Sequence, residues 1–243
     1  MILNYFLVLA AGLVVGVING MAGGASIISY PVLLACGLNP IVAVGTNAVG
    51  VTAANFTALA SVRKTLHSVY VQARVLVLIS VISAILGATL LLSMSEALFR
   101  EIVPFLLLTS TLSLLIPVRA VERLHAVAIE RCEIAASGFY CGYFGPGQGV
   151  MVLAALARNP GRTPKELNTL KNVVVGTTAL ASNAIYIATG HVSWIFAGIL
   201  FIGAAAGGFI GGHSATRMSP TFYRAVVFCV GIAASAWLFA SVR

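Results

Sequence analysis

The sequence predicts an all-α polytopic membrane protein built as two inverted repeats, each a re-entrant (broken) helix hairpin plus three transmembrane helices. Three observations lead there. Of 243 residues, 60% are hydrophobic and 8% are charged, whereas a soluble domain carries roughly 25% charged residues; mean hydropathy is +1.03. Apolar sequence is broken twice by glycine-rich stretches, GVINGMAGGAS at 16–26 and GFYCGYFGPGQG at 138–149. Backbone N–H and C=O groups cannot be left unpaired in hydrocarbon, so each break must be buried in protein or line a polar cavity. Finally, Lys and Arg collect between the apolar runs in a pattern that fixes their direction.

Taken in order, the apolar runs predict helices near 2–18, 25–36, 41–62, 72–93, 98–117, 133–144, 149–157, 166–190, 193–213 and 221–241. A full span needs about 20 residues, and the four short runs are those flanking the breaks. Arg63, Lys64 and Arg74 place the loop at 63–72 in the cytoplasm. The loop near 93–101, with Arg100 against Glu96 and Glu101, then lies outside. Arg119, Arg123 and Arg131 place the connector 118–132 inside, as Arg158, Arg162 and Lys165 do for the loop that follows. Two successive inner loops require the segment between them to enter the membrane and return, and that segment carries the second break. By the same logic residues 2–36 dip from the outside, although 2–20 is long for half a bilayer and a full broken span stays open. His191–Trp194 lies outside, and Arg217 and Arg224 mark the last inner loop. The domains are therefore a first membrane repeat at 1–117, the cytoplasmic connector 118–132, and a second, inverted repeat at 133–243.

The repeat can be followed in register. Asn39-Pro40 and Thr163-Pro164 both carry an N-cap residue followed by proline at the first helical position, and Thr163-Pro-Lys-Glu166 reads as a capping box. At equal distance beyond each proline stand Asn47 and Lys171, while Gly16 and Gly20 match Gly138 and Gly142 at nearly the same offset. Paired Gly/Pro-interrupted segments in two halves are the sequence mark of a transporter binding site. Two helices starting just after the breaks would aim N–H groups and positive dipole ends at one place, which suits an anion.

The candidate substrate-binding residues follow from that placement: Asn19, Gly20, Gly23, Gly24 and Ser26 on the first break, Gly145, Gly147, Gln148 and Gly149 on the second. Thr46 and Asn47, with Asn55 further along, supply hydroxyl and amide groups from 41–62, where they could equally bond between helices. On 166–190, Asn168, Lys171, Asn172, Ser182, Asn183 and Tyr186 fall within about a third of the helix circumference. Lys171 either snorkels to the interface or faces a cavity as an intramembrane charge on a substrate path. The four-residue ladders Gly12-Gly16-Gly20-Gly24 and Gly203-Gly207-Gly211 also have a plain packing explanation, close helix approach.

Other classes are disfavoured. The net charge of +8 lies in loops between apolar runs, so no nucleic-acid partner is expected. The start lacks a basic n-region, which argues against a cleaved signal peptide. Cys36, Cys132, Cys141 and Cys229 have no metal spacing, and no His has a second ligand at metal spacing, so neither metal nor cofactor is expected. Asp is absent, removing a Ser/His/Asp triad, and there is no Walker-type phosphate loop. An enzyme built on Cys141 or a histidine lacks a base beside the nucleophile.

The strings NGMAGGAS and GYFGPGQG, each followed by a short apolar helix and a Pro-initiated polar helix (the second through TPKELNTLKN), resemble the TauE/SafE (TSUP) family over roughly residues 5–240. The resemblance implies a transporter, often an exporter, of sulfite, sulfoacetate or related organosulfonates, in two repeats with substrate between them at Asn19–Ser26 and Gly145–Gly149. Lys171 and Asn172 rest on the physical argument alone. The expectation is thus a secondary transporter of a small sulfur-containing anion in the bacterial cytoplasmic (inner) membrane, partnered by its substrate and the lipid bilayer. An anion channel of the same architecture remains the alternative. A homodimer and coupling to protons stay open, with Glu166 the acid nearest a span.

Overall fold

In the computed structural model, residues 2–21, 24–60, 63–113, 115, 123–159, 161–214 and 220–242 are described. They form ten helices: α1 (Ile2–Met21), α2 (Ser26–Ala35), α3 (Pro40–Ala60), α4 (Arg63–Ser93), α5 (Glu96–Ser113), α6 (Arg123–Tyr143), α7 (Gln148–Ala157), α8 (Pro164–Ala188), α9 (Trp194–Ser214) and α10 (Pro220–Val242). Every predicted helix is present. Two begin much earlier than their apolar runs: α4 takes in the expected loop at 63–72, and α6 takes in residues 123–132 of the expected connector. Arg, Lys and Glu favour helix, so these helices continue past the apolar stretch. Arg119 and Arg217 lie outside the described residues.

Among the described residues, three helices are long and apolar enough to cross a membrane, at Ile2–Asn19, Val69–Ser93 and Trp194–Gly211. α1, at 20 residues, is about 30 Å long, the length of a full span rather than a half. α3 and α8 are as long or longer, with 21 and 25 residues, but each carries a polar stripe turned inward, which dilutes its apolar character.

The helices pack as a row. α1 lies on α9, α9 on α3, α3 on α8, α8 on α4 and α4 on α6, with α5 against α10. The closest approaches are made by glycine. A Cβ on Gly203 would stand 2.6 Å from Leu9 O, and one on Gly12 2.7 Å from Leu200 O, so the α1–α9 seam admits no larger side chain. The Gly203 ladder is therefore a packing stripe, as its spacing suggests. Gly12 and Gly16 belong to the same seam, whereas Gly24 has left the helix and takes φ 89°. On the opposite flank a Cβ on Gly138 would stand 2.5 Å from Ser80 O of α4.

Both proline-led helices begin as their sequence signals require. The Thr163 hydroxyl accepts from the Glu166 N–H, and a Glu166 carboxylate oxygen accepts from the Thr163 N–H at 2.8 Å, completing the capping box. Asn39 Oδ1 accepts from the Ile41 N–H at 2.9 Å.

Candidate functional site

Two short helices, α2 and α7, return the chain after each glycine break, and their N-termini meet in the middle of the row. In the first break, α1 ends at Met21 and the Ala25 N–H turns back to donate to Asn19 Oδ1 at 3.0 Å. The end of α2 lies beside the start of α1, with Cys36 Sγ 4.0 Å from Asn4 O. In the second, Gly145 and Gly147 take φ 89° and 92°, conformations open to glycine because it lacks Cβ. Pro146 between them is held from two sides: Ser110 Oγ and Tyr140 Oη each donate to its carbonyl at 2.8 Å. The α7 end comes back to α6 through the Arg158–Glu133 ion pair at 2.9 Å.

The two breaks touch. A Cβ on Gly24 would stand 2.5 Å from Val150 Cγ2 and 4.0 Å from Gly147 Cα, and one on Gly147 would fall on Ser110 Oγ and lie 3.4 Å from Ile27 Cδ1. Tyr30 and Phe144 cross edge-to-face at 5.0 Å between the hairpins. Glycine at both tips thus leaves room for the Val150 and Ser110 side chains, where an added Cβ would push the hairpins apart.

Beside this junction, between α3 and α8, is a cavity of about 50 Å³. One ordered water needs roughly 10–15 Å³ measured this way, so the space suits a few waters or one small anion. Asn19, Gly24 and Ser26 line it from the first break, Gly145, Gln148 and Gly149 from the second, and Asn47, Thr52 and Asn55 from α3. Val51, Phe144, Val175 and Ala179 give an apolar wall, and Ala48 and Cys141 complete the lining. No residue of that lining is ionisable as Lys, Arg, Asp, Glu or His. Positive potential comes instead from the N-terminal ends of α2 and α7, which begin at Ser26 and Gln148.

The polar side chains are set differently. Asn47 Oδ1 accepts from Ser29 Oγ at 2.5 Å, which fixes the amide. Thr52 Oγ1 accepts from Asn183 Nδ2 at 2.9 Å. Gln148 is 3% exposed, and its Nε2 has no hydrogen-bond partner among the described residues. A buried donor left unmade costs about 1–3 kcal/mol, and this one borders the cavity.

Seven of the thirteen sequence candidates line the cavity, and Gly147 stands at its edge against Gly24. Gly20 lies in the last turn of α1, and Gly23 lies outside the described residues. Three others are elsewhere. Thr46 is turned to the α8–α9 connection, where its hydroxyl accepts from the Ser193 N–H at 2.9 Å. One residue further along α3 is a rotation of about 100°, so Asn47 faces the cavity and Thr46 does not. Lys171 is 0% exposed and does not snorkel; its Nζ donates to the backbone carbonyl of Asn19 at 2.7 Å, behind the cavity wall. That carbonyl belongs to the last turn of α1, where a cation meets the negative end of the helix dipole. Asn172 is fully buried in α8, with neither amide atom bonded among the described residues.

The sequence reading missed Ala48, Val51, Thr52, Phe144, Val175 and Ala179 as cavity residues and left Asn55 and Cys141 unassigned. The spacing of Asn47, Val51 and Asn55, each four residues on, could have found the α3 face. Among the described residues no group of three His, Cys, Asp or Glu side chains could hold a metal ion.

Comparison with known proteins gives the family. The family model "Sulfite exporter TauE/SafE" matches residues 8–238. A "Probable membrane transporter protein" of Haemophilus influenzae is 30% identical over 224 residues, covering 89% of this chain and 87% of its own length. One of Xylella fastidiosa is 28% identical over 225 residues, covering 87% and 85%. The Escherichia coli K12 protein YfcA, described in the same words, is 22% identical over 229 residues, covering 92% and 85%. With three helices among its described residues long and apolar enough to cross a membrane and a family match over nearly its whole length, this integral membrane protein belongs to the TauE/SafE family.

Proposed function

We propose that the protein is a secondary transporter, not an enzyme, that moves a small sulfur-containing anion such as sulfite or an organosulfonate across the bacterial cytoplasmic membrane by alternating access. The observation that carries this is the cavity at the meeting of the two glycine breaks. It is small, bordered by two helix N-termini, and presents amide and hydroxyl groups without an acid that would repel an anion. Gln148 Nε2 and the Ser26 hydroxyl donate to the oxyanion oxygens, while Val51, Phe144 and Val175 accept its less polar side. Lys171, one residue behind Asn19, supplies balancing charge through the wall.

The packing supports two inverted repeats. Exchanging α1 with α6, α2 with α7, α3 with α8, α4 with α9 and α5 with α10 converts the α1–α9 contact into α6–α4 and the α3–α9 contact into α8–α4. The α3–α8 and α5–α10 contacts map onto themselves. The Cys36–Asn4 and Arg158–Glu133 approaches, which bring each short helix back to the helix before it, support hairpins that enter and leave on one side, from outside for residues 2–36 and from the cytoplasm for the second. One repeat rocking on the other around the α3–α8 seam would open the cavity to each side in turn.

The test is thermal stabilisation of the detergent-purified protein by sulfite, thiosulfate, sulfoacetate, taurine, sulfate and acetate. A ligand that binds only the folded form raises the melting temperature. Selective stabilisation by a sulfur anion is expected. Stabilisation by acetate equal to that by every sulfur compound would remove the substrate class.

A further inference from the structure

The cavity is not symmetric about the two repeats, and the asymmetry has a direction. Four pairs of lining residues are counterparts: Asn19 with Cys141 and Ser26 with Gln148 at one offset along the chain, Val51 with Val175 and Asn55 with Ala179 at an offset two residues longer. The second offset is the one that carries Pro40 onto Pro164. On it, Asn47, Ala48 and Thr52 correspond to Lys171, Asn172 and Gly176. The first three line the cavity, and their counterparts do not.

The α3–α8 seam shows what this means in space. Asn183 Nδ2 bonds Thr52 Oγ1 at 2.9 Å, and a Cβ on Gly176 would stand 3.5 Å from Asn55 Cβ, so the two helices run antiparallel. The cavity therefore extends from the centre of the seam toward the α3 N-terminus. Among the described residues, its lining on α8 begins at Val175 and takes in nothing nearer the α8 N-terminus. In that half sit Lys171, whose Nζ donates to the Asn19 carbonyl, and Asn172, fully buried with both amide atoms unbonded among the described residues. An unbonded buried amide is costly in any resting structure, which is accounted for if another state supplies its partners.

We infer that the cavity has a second form, made by exchanging the roles of the two repeats, in which Lys171 and Asn172 line it in place of Asn47 and Ala48. The lining then carries no charged side chain when open toward the α3 N-terminus, where Lys171 acts only through the wall, and carries the Lys171 ammonium itself when open toward the α8 N-terminus. The anion is held more tightly in the second form and released more readily from the first. This inference rests on the alternating-access reading above, and it adds which residues trade places and on which side the charge appears.

The test is sided cysteine labelling. Asn47→Cys and Asn172→Cys are made separately in a variant with Cys36, Cys132, Cys141 and Cys229 replaced by Ser that retains saturable sulfite flux in proteoliposomes. Each is exposed to a membrane-impermeant methanethiosulfonate from either side. Gly176→Cys, whose Cβ would stand 3.2 Å from Phe56 Cζ and needs that ring tip to yield slightly, reports on the same half should Asn172→Cys misfold. The expected result is that position 47 reacts from one side only and positions 172 and 176 only from the other. Saturating sulfite is expected to change the two rates in opposite directions, slowing 47 and speeding 172. Reaction at 47 with silence at 172 and 176 from both sides, in protein whose flux still saturates, overturns the inference and leaves the transporter standing. Reaction of 47 and 172 from the same side at equal rates overturns both, because that is a continuously open path.

Discussion

Replacing Lys171 by Met isolates the role of its charge. Methionine nearly matches the lysine stem in volume, and such swaps cost little in packing. The Asn19 carbonyl loses its 2.7 Å donor, a loss of no more than about 3 kcal/mol, while a buried cation is also removed, which offsets part of it. Binding suffers more specifically. The ammonium stands one residue behind Asn19, so an anion beside the Asn19 side chain is roughly 7 Å from it; at an effective dielectric of about 20, unit charges interact there by about 2 kcal/mol. That corresponds to roughly a 30-fold loss of affinity. The assay is sulfite-dependent thermal stabilisation of monodisperse Lys171→Met beside the parent protein, read as an apparent Kd. An unchanged Kd in a folded variant refutes the electrostatic role of Lys171.

Three further outcomes are expected. Gln148→Leu removes a buried donor that has no partner among the described residues, so the melting temperature stays level or rises. The same variant loses a hydrogen bond to a charged ligand, about 1.5–3 kcal/mol, and sulfite affinity falls at least tenfold; a fall in stability without a fall in affinity contradicts this. Arg162 clamps Glu130, 2% exposed, through bonds of 2.5 and 3.2 Å, and also reaches Leu156 O at 2.9 Å. Arg162→Met leaves that carboxylate without its cation and with the 3.3 Å bond from Asn159 Nδ2, at a cost of up to about 3–5 kcal/mol; adding Glu130→Gln should recover most of it in thermal melts, and no recovery would place the loss elsewhere. At the start of α8, the Thr163 N–H and then the Thr163 hydroxyl hold the Glu166 carboxyl below its ordinary value. A depressed carboxylate stabilises fully above the unfolded pKa, and that contribution disappears as pH falls through the folded one. Glu166→Gln should therefore flatten the acid limb of the melting curve near and below the ordinary glutamate range, and an unaltered acid limb rules the cap out as its source.

Much of the site could be read from residue order because its cause is local. Glycine at 24, 145 and 147 takes a positive φ that ends the helix locally, and Thr163-Pro164 starts one. What escaped is set by rotation and partner choice. Thr46 and Asn47 look alike as a polar pair, and only the arrival of the α8–α9 connection at Ser193 turns Thr46 away. Lys171 looked like either a snorkelling or a cavity-facing residue; the carbonyl that receives it belongs to Asn19, far off in sequence and invisible to periodicity. Apolar liners such as Val175 and Ala179 carry no mark that separates them from core. The early starts of α4 and α6 were missed because charge was read as loop, although Arg and Glu are good helix formers. Arg158 and Arg162, which the sequence marks as inner-loop charge, pair with Glu133 and Glu130, partners that spacing does not reveal.

The most direct measurement is counterflow of labelled sulfite in proteoliposomes made with the purified protein. Alternating access around one cavity predicts uptake that saturates with external sulfite and is accelerated by unlabelled sulfite trapped inside. Uptake that rises linearly without saturation and ignores internal sulfite contradicts it and describes a channel.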